Sequence, residues 1–213
     1  MKLRIINNTK TALYIFVRPQ DTVLASFDAF SAYACSRLSA SAAMYAELKN
    51  EFYAAGMYQN PDQSVVVTKK LPLAANKHYV LDENGNISME DRSDASIEIE
   101  NKNSDTATLL LYGNSTCILQ KKVRPDFKVC LEHLPDALCD VMISISEKEI
   151  KPDFFPVNQT HMFSFSSQPL PIKAADYMTI KLEENVGSGA IVLSEPDFSP
   201  FSNYNNIYRA VGK

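Results

Sequence analysis

The sequence predicts an all-β protein made of two tandem antiparallel β-sandwich domains. Two observations lead to this prediction. Several short stretches alternate strictly between apolar and polar residues, and one stretch near the middle of the chain has a counterpart near its end. The stretch is LPLAANKHYVLDENGNISM (71–89), and its counterpart is LPIKAADYMTIKLEENVGSGAIVL (170–193).

The clearest alternation lies in DVMISISE (140–147), where Val141, Ile143 and Ile145 share one side of an extended chain. MFSFS (162–166) shows the same period of two. Because successive side chains of a strand point to opposite faces, this pattern predicts one buried face and one face in water. Such half-buried strands are typical of antiparallel sheets, whereas buried parallel strands carry continuous apolar runs.

An internal duplication would explain the paired stretches. LRIINNT (3–9) faces IEIENKN (97–103) at an offset of 94 residues, and LPL (71–73) faces LPI (170–172) at an offset of 99 residues. The offset grows in one direction along the chain, as small loop insertions would make it grow. The sequence therefore predicts two related units in tandem.

The duplication divides the chain into three parts. One sandwich unit is predicted at 1–92 and the other at 93–194, each of the size typical of immunoglobulin-like sandwiches. The remaining tail, 195–213, is rich in Asn, Ser and Pro, yet it also holds aromatic residues. Disordered segments are usually poor in aromatic residues, so the tail is predicted to pack either on its own chain or on a neighbouring subunit.

One stretch, SASAAMYAELKNEFYAAG (39–56), gives conflicting predictions. Its Ala content, initial Ser and final Gly favour a helix, and apolar residues recur at helical spacing from Tyr45 onward. The duplication instead places it opposite the strand predicted at 140–147. Local propensity leads us to expect a short helix near residues 40–55, with a strand as the open alternative.

The first of the paired stretches contains the turn dipeptide Asn84–Gly85. This dipeptide predicts a type I′ hairpin turn, which needs a positive φ at both residues. The alternating Asp82, Asn84 and Asn86 also resemble the start of a calcium loop, but the Gly and Glu that such a loop requires at later positions are missing. The hairpin turn is therefore predicted without an ion.

Composition and charge limit the class of protein. Hydrophobic residues make up 46% and charged residues 22% of the 213 residues, which is ordinary for a globular protein. With a net charge of -4, the chain is unsuited to neutralising phosphates, and no nucleic-acid partner is expected. No apolar run suffices for a signal peptide or a membrane-spanning helix, which predicts a cytoplasmic location, with export by a leaderless route as the open alternative.

No motif for catalysis, cofactor binding or metal binding stands out. The chain has three His and six Gly, and it contains neither G-x-S-x-G nor a glycine-rich nucleotide loop. The spacing of the four Cys matches no common zinc site, and buried free thiols are expected. His78 and His161 lie beside predicted strands and are expected to be surface imidazoles. We therefore expect no catalytic residues, no cofactor and no metal in a protein that is not an enzyme.

The remaining signal is aromatic. The chain has ten Tyr and eleven Phe but no Trp. Tyr combines apolar area with a hydroxyl at a low entropic cost, which suits protein contacts. The residues predicted to contact a protein are Tyr45, Tyr53, Tyr58, Phe198, Phe201, Tyr204 and Tyr208.

Together these observations predict a non-enzymatic binding or self-assembly protein. Its Tyr- and Phe-rich sandwich surfaces and its tail would contact another protein or a second copy of the chain in a homo-oligomer. One alternative is a membrane-surface-binding or pore-forming β-sandwich protein, which the absence of Trp and the acidic charge disfavour. A second alternative is an enzyme with an inter-domain site, because a sequence does not display the clefts between domains where such sites form.

Overall fold

The computed structural model describes residues 1–60, 62–94, 96–113, 116–131, 141–146, 148–149, 154–159, 166–169 and 176–201. The strands, in chain order, are β1 Lys2–Asn7, β2 Leu13–Pro19, β3 Ala29–Phe30, β4 Ala34–Leu38, β5 Ala43–Glu47, β6 Phe52–Gln59, β7 Val65–Val67, β8 Leu71–Pro72, β9 Lys77–Leu81, β10 Ile87–Asp91, β11 Ile97–Asn101, β12 Ala107–Gly113, β13 Thr116–Val123, β14 Lys128–Leu131, β15 Val141–Ser146, β16 Phe155–Pro156, β17 Ser166–Pro169, β18 Tyr177–Glu184 and β19 Ile191–Leu193. One helical turn, α1, spans Asp21–Leu24, and a 3₁₀ turn spans 157–159. The predicted all-β class is confirmed, and no helix in the described part of the chain is long and apolar enough to cross a membrane.

The strands form four sheets that stack as two sandwiches. The sheets have the orders β19-β18-β1-β5, β17-β15-β2-β4, β10-β9-β11-β14 and β16-β3-β13-β12-β6-β7, with β8 also paired to β6. The first two sheets enclose one hydrophobic core and form the first sandwich. The other two enclose a second core and form the second sandwich. The sheet that runs from β16 to β7 is called the large sheet below.

Alternate residues of the strands build the core of the first sandwich. Leu3 and Ile5 on β1, Ile143 on β15 and Ile180 on β18 are each at most 1% exposed. Burying a side chain of this size contributes about 1.5–3 kcal/mol relative to leaving it in water. This core therefore stabilises the pairing of β1 with β18, two strands that lie at opposite ends of the chain.

The second core contains a buried tyrosine whose hydroxyl is fully used. Tyr79 on β9 is 0% exposed and packs with apolar residues of β11 and β12. Its hydroxyl donates to the carbonyl of Pro72 at 2.7 Å and accepts from the amide of Ala74 at 2.9 Å. Burial raises the pKa of Tyr79, so the phenol stays neutral. These two bonds tie the segment after β8 to the core.

The alternation predicted for 140–147 is confirmed on one side and wrong on the other. Val141, Ile143 and Ile145 on β15 enter the first core, as predicted. Ser144 and Ser146, expected in water, are 0% and 5% exposed. The reason is that the far face of this sheet is also covered, so the alternation marks two buried faces of different polarity.

Strand β2 contributes to both cores. Leu13, Ile15 and Val17 enter the first core, whereas Phe16 points the opposite way and belongs to the second. The next residue on the same face of β2 as Phe16 is Arg18, which is 2% exposed. Its guanidinium lies 5.7 Å from the ring centre of Phe30 in the second core. The sheet that contains β2 therefore has one core on each face.

Arg18 is held by polar groups of its own sheet. Its Nε donates to Ser144 Oγ at 2.8 Å, and one terminal nitrogen donates to the carbonyl of Pro19 at 3.1 Å. The other terminal nitrogen lies 3.1 Å from the sulfur of Met142. A buried guanidinium is tolerated only where its donors are satisfied, and these contacts explain why Ser144 is buried.

The short helix expected near 40–55 is wrong. Residues 43–47 form β5 and residues 52–59 form β6. On β6 the small residues Ala54 and Ala55 are 0% exposed, and a side chain at Gly56 would come within 2.3 Å of Leu81. The Ala and Gly therefore serve close packing in a sheet rather than helix formation, and tertiary contacts override local propensity.

The predicted segments 1–92 and 93–194 both contribute strands to all four sheets. In the first sandwich, β1 pairs in parallel with β18, and in the second, β11 pairs in parallel with β9. The orders β19-β18-β1-β5 and β10-β9-β11-β14 match strand for strand, with the same directions. Each sandwich is thus built from both segments. The duplication itself stays a prediction, because sandwiches without common ancestry share such strand orders.

The turn between β9 and β10 differs in type from the prediction. Gly85 has a φ of 71°, whereas Asn84 is not in the positive-φ region that a type I′ turn requires. The carboxylate of Asp82 accepts hydrogen bonds from the amides of Asn84 at 2.9 Å and Asn86 at 2.8 Å. The alternating Asp and Asn residues thus satisfy the backbone of the turn.

Candidate protein-contact face

Several of the aromatic residues predicted to contact a partner are instead used within the chain. Phe201 is 8% exposed and packs edge-on against Tyr45 at 5.9 Å and Tyr177 at 5.1 Å between ring centres. The guanidinium of Arg4 lies 4.8 Å from the ring centre of Phe201. Tyr45 and Phe201 therefore cover the outer face of the sheet that contains β1.

The described part of the tail packs on its own chain. Asp197 pairs with Thr179 on β18 through two backbone hydrogen bonds of 2.7 and 2.9 Å. Phe198 packs against the rim of the first core. The tail thus packs in cis up to Phe201, and Tyr204 and Tyr208 lie outside the described residues.

The two remaining predicted tyrosines lie on β6 and point to opposite faces of the large sheet. Tyr58 covers the hairpin turn, where a side chain at Gly85 would come within 1.9 Å of its hydroxyl. Tyr53 points to the outer face, and it lies opposite Tyr112 of β12. Of the predicted residues that the structure describes, Tyr53 is the half-buried one on the outer face of the large sheet, the same face as the exposed valines of β7.

Strand register identifies the other members of this surface. Residues that face each other across an antiparallel pair project to the same side of the sheet. Met57 faces both Val67 of β7 and Thr108 of β12, and Gln59 faces Val65. The surface, called the outer patch from here on, consists of Tyr53, Met57, Val65, Val67 and Tyr112.

The outer patch is exposed where it reaches the edge of the sheet. Val65 is 61% and Val67 is 46% exposed, and they are neighbours on one face of β7. Isolated exposed apolar residues are common on protein surfaces, but here two exposed β-branched residues lie next to each other and beside the half-buried Met57 on the same face. At its rim, the Lys70 ammonium lies 3.7 Å from the ring centre of Tyr112.

Strand β7 also has a free hydrogen-bonding side. It ends the order of the large sheet among the described strands. The amide of Thr68 donates to Gly56, and the amide of Asn60 donates to Ser64, each at 2.9 Å. Hydrogen-bonded positions alternate along an antiparallel pair, so Val66 directs its N–H and C=O toward β6. The N–H and C=O groups of Val65 and Val67 therefore point away from the sheet.

Charged residues flank β7 in a fixed order. Asp62 precedes the strand, and Lys69 and Lys70 follow it, all exposed. The carboxylate of Asp62 accepts hydrogen bonds from the hydroxyl and amide of Ser64 at 2.6 and 2.9 Å, and these bonds lower its pKa. One end of the edge is therefore acidic and the other basic at neutral pH.

A second cluster of chemically interesting residues lies on β9, β11 and β14. The carboxylates of Glu98 and Glu100 are 10% and 12% exposed. Lys128 Nζ lies 3.0 Å from Glu98 Oε1, Arg92 contacts Glu98 Oε2, and His78 Nε2 lies 3.1 Å from Glu100 Oε2. Glu98 is thus compensated by two cationic side chains, and Lys102 Nζ lies 3.8 Å from Glu100 Oε2.

The electrostatics of this cluster suit a structural network better than acid–base catalysis. Burial alone raises the pKa of Glu98, but the hydrogen bond from Lys128 and the charges of Arg92, Lys128 and His78 outweigh it and hold the pKa below its usual range. A carboxylate so held stays ionised at neutral pH and does not supply a proton. No group of three His, Cys, Asp or Glu in the described part of the chain is placed to hold a metal ion.

Two further features offer little chemistry. A shallow groove of about 590 Å³ beside β6 is lined by Gln59, Asn60, Gln63, Asp105 and Thr106, with Asp105 as its one titratable group. Cys35, Cys117 and Cys130 are free thiols, but the expected burial is wrong for Cys130, which is exposed. Burial raises the pKa of one of them, Cys117, to about 11, so that thiol stays protonated.

The sequence interpretation missed most of the outer patch. Val65, Val67, Met57 and Tyr112 were not among the predicted contact residues. A signal was available in SVVVT (64–68), whose three consecutive Val leave no polar face although charged and polar residues flank it on both sides. A short strand that is apolar on both faces requires cover on both faces, and the fold supplies cover on one.

Known proteins do not supply a function for this chain. No protein-family model, no curated protein and no solved structure matches it.

Proposed function

We propose that this protein is a non-enzymatic binding or self-assembly module that contacts protein through the outer patch. The observation that carries the proposal is the pair of exposed valines, Val65 and Val67, on an edge strand whose outward backbone groups have no strand beside them among the described residues. Folding alone does not require an apolar, unpaired edge, and proteins usually blunt such edges with charge.

The chemistry of the patch is that of a protein interface. Tyr53 and Tyr112 provide rigid rings with polar tips, and Met57 provides an adaptable apolar side chain. Lys70 at the rim leaves the centre of the patch without charge. A strand laid along β7 would gain backbone hydrogen bonds at Val65 and Val67, which is the mode by which sheet edges capture extended segments.

Site-specific photo-crosslinking in cells that make the protein tests this proposal. A benzophenone amino acid replaces Tyr53 in the patch or, as the matched control, Phe127, an aromatic residue that is 60% exposed outside the patch. We expect a small set of discrete protein adducts from position 53 and none of these from position 127. Adding Val67→Lys should abolish the adducts, because a charge replaces apolar contact area.

Two results would contradict the proposal. One is the absence of any adduct at position 53. The other is the same set of adducts from positions 53 and 127, since random collision depends on exposure rather than on the patch. Mass spectrometry of each adduct shows whether the captured protein is another protein or the same chain.

A further inference from the structure

We infer that the partner at the edge of β7 is a second copy of this chain, whose β7 pairs antiparallel with it and is centred on Val66. This inference rests on the proposed function, because it names the occupant of the same surface. Backbone direction, side-chain position and charge order each favour this occupant.

Of the in-phase antiparallel registers of β7, the one centred on Val66 pairs its two outward-facing residues with each other. Antiparallel pairing centred on Val66 places Val65 opposite Val67 of the second copy, and the twofold axis repeats the contact. Both of these residues point their N–H and C=O groups outward. They therefore form two closely spaced hydrogen-bonded pairs, four bonds in all. A shift of the register by one residue would place Val65 or Val67 opposite Val66 of the second copy. The N–H and C=O of Val66 point toward β6, so the hydrogen bonds between the two copies would be lost.

The side chains agree with the same register. Opposed residues of an antiparallel pair project to one face, so the exposed Val65 contacts Val67 of the second copy on the outer side. The twofold axis is perpendicular to the sheet, and it brings the two outer patches side by side. Two β-branched pairs, each partly removed from water, are favourable cross-strand neighbours.

The order of the charged residues along β7 favours antiparallel over parallel pairing with a second copy. In the register centred on Val66, residue 62 of each chain lies opposite residue 70 of the other. The Lys70 ammonium lies 3.7 Å from the ring centre of Tyr112 in the single chain, so its side chain turns toward the edge to reach Asp62 of the second copy. A parallel second copy would bring Asp62 towards Asp62 and Lys70 towards Lys70. Since Asp62 and Lys70 are exposed and lie at opposite ends of the strand, attraction favours the antiparallel arrangement twice.

The assembly closes at two copies. Each chain offers this edge once, and the twofold contact uses the same surface on both sides. Because the paired segment is short, the contact is weak and depends on concentration. A dimer of this kind joins the two large sheets into one.

A charge-exchange experiment in sedimentation equilibrium tests the inference. The wild type is expected to move reversibly from one-chain to two-chain mass as concentration rises to the millimolar range. Asp62→Lys and Lys70→Asp should each weaken the dimer at least tenfold, because each brings like charges together twice. An equimolar mixture of the two variants should regain the dimer, since both cross-strand pairs are then of opposite charge. A wild type that keeps one-chain mass throughout, or a mixture that stays monomeric, would overturn the inference.

A backbone substitution supplies an independent check. Val67→Pro removes an N–H that points away from β6, so the fold of the monomer should keep its circular dichroism spectrum and its unfolding midpoint. Dimerisation should be lost. The matched variant Val67→Thr keeps the N–H and should retain a weakened dimer. Equal dimerisation of Val67→Pro and wild type would show that β7 does not pair.

The two proposals can fail separately. If the wild type stays monomeric while position 53 captures other proteins, the binding function stands and the second-copy inference fails. If position 53 captures nothing and no dimer forms, both fail.

Discussion

Glu98 shows how a single residue can be both nearly buried and charged in this protein. Its carboxylate is 10% exposed on β11, yet Lys128 lies 3.0 Å away and Arg92 contacts its other oxygen. Burial works to raise the pKa of Glu98, and the hydrogen bond from Lys128 with the neighbouring positive charges lowers it further than burial raises it. The folded protein therefore holds this carboxylate in its ionised form.

This arrangement leads to an expected pH dependence. A carboxylate whose pKa is lower in the folded state stabilises the fold above its unfolded pKa of about 4.3 and loses that contribution as pH falls through the folded pKa. Glu98→Gln should lower the free energy of unfolding at pH 7. Its curve should approach that of the wild type as pH falls from about 4.3 through the lowered folded pKa, since both side chains are then uncharged.

Urea unfolding at half-unit pH steps measures both curves. The matched control is Glu183→Gln, because Glu183 is an exposed carboxylate on β18. It should change the free energy of unfolding by less than about 0.5 kcal/mol throughout. A constant difference between Glu98→Gln and wild type from pH 7 down to pH 3 would contradict the ionic role of Glu98.

At the scale of elements, the hairpin of β9 and β10 depends on one glycine. Gly85 has a φ of 71° in the turn, a conformation that costs a residue with a side chain about 1–2 kcal/mol. The ring of Tyr58 also lies directly over it. The turn therefore joins two strands and supports a side chain from the facing sheet at the same point.

Gly85→Ala is expected to lower the free energy of unfolding by about 1–3 kcal/mol, through backbone strain and displacement of Tyr58. Gly187→Ala is the matched control, because Gly187 also lies in a turn but has no positive φ and no atom closer than 3.5 Å to an added side chain. That control should stay within about 0.5 kcal/mol of wild type. Chemical unfolding followed by circular dichroism measures both. Equal effects of the two substitutions would show that φ and the contact with Tyr58 do not matter.

The type of a secondary-structure element was predicted correctly where the sequence carried a single pattern. The prediction was wrong where two patterns pointed to different structures. The alternation in 140–147 identified β15, whereas Ala-rich 39–56 was assigned to a helix although it forms β5 and β6. Gly56 has no side chain because Leu81 of the facing sheet approaches it. The amino-acid sequence shows that the Ala and Gly residues are small. It does not show whether helix formation or close packing against a facing sheet is the reason.

For the molecule as a whole, β2 is the element that joins the two sandwiches. Its Ile15 is buried in the first core, and its Phe16 is buried in the second, where it packs edge-on against Phe155 with ring centres 6.5 Å apart. The strands of the first sandwich also come from both ends of the chain, β1, β2, β4 and β5 early and β15, β17, β18 and β19 late, while β3 and β16 between them belong to the large sheet of the second sandwich. Unfolding of one sandwich therefore exposes core residues of the other.

Phe16→Ala tests this coupling. The substitution should lower the free energy of unfolding by about 3–5 kcal/mol, as expected for removing a buried ring. Hydrogen exchange should accelerate in β11 and β12 of the second sandwich as well as in β2. Val186→Ala, in a fully exposed turn, should change neither. Faster exchange confined to β2 and its sheet neighbours would contradict the coupling.

The sequence predicted the chemical type of the candidate site, but only part of its position on the fold. An aromatic protein-contact surface was expected, and Tyr53 lies on the outer patch, but Tyr45 and Phe201 cover each other within the chain. Val65 and Val67 became candidates when the structure placed β7 at an edge. Whether an apolar side chain is covered depends on segments distant in sequence, and no local pattern contains that information.

By itself, the sequence determined that this chain forms short strands with polar turns, because alternation and turn residues act over a few neighbouring positions. The tertiary structure decided which strands pair, so that β1 lies beside β18 and β9 beside β11. It also decided that two valines of β7 stay exposed while most aromatic residues are covered. The physical reason is that strand pairing and burial are contacts between distant parts of the chain, and their free energy is shared by many residues.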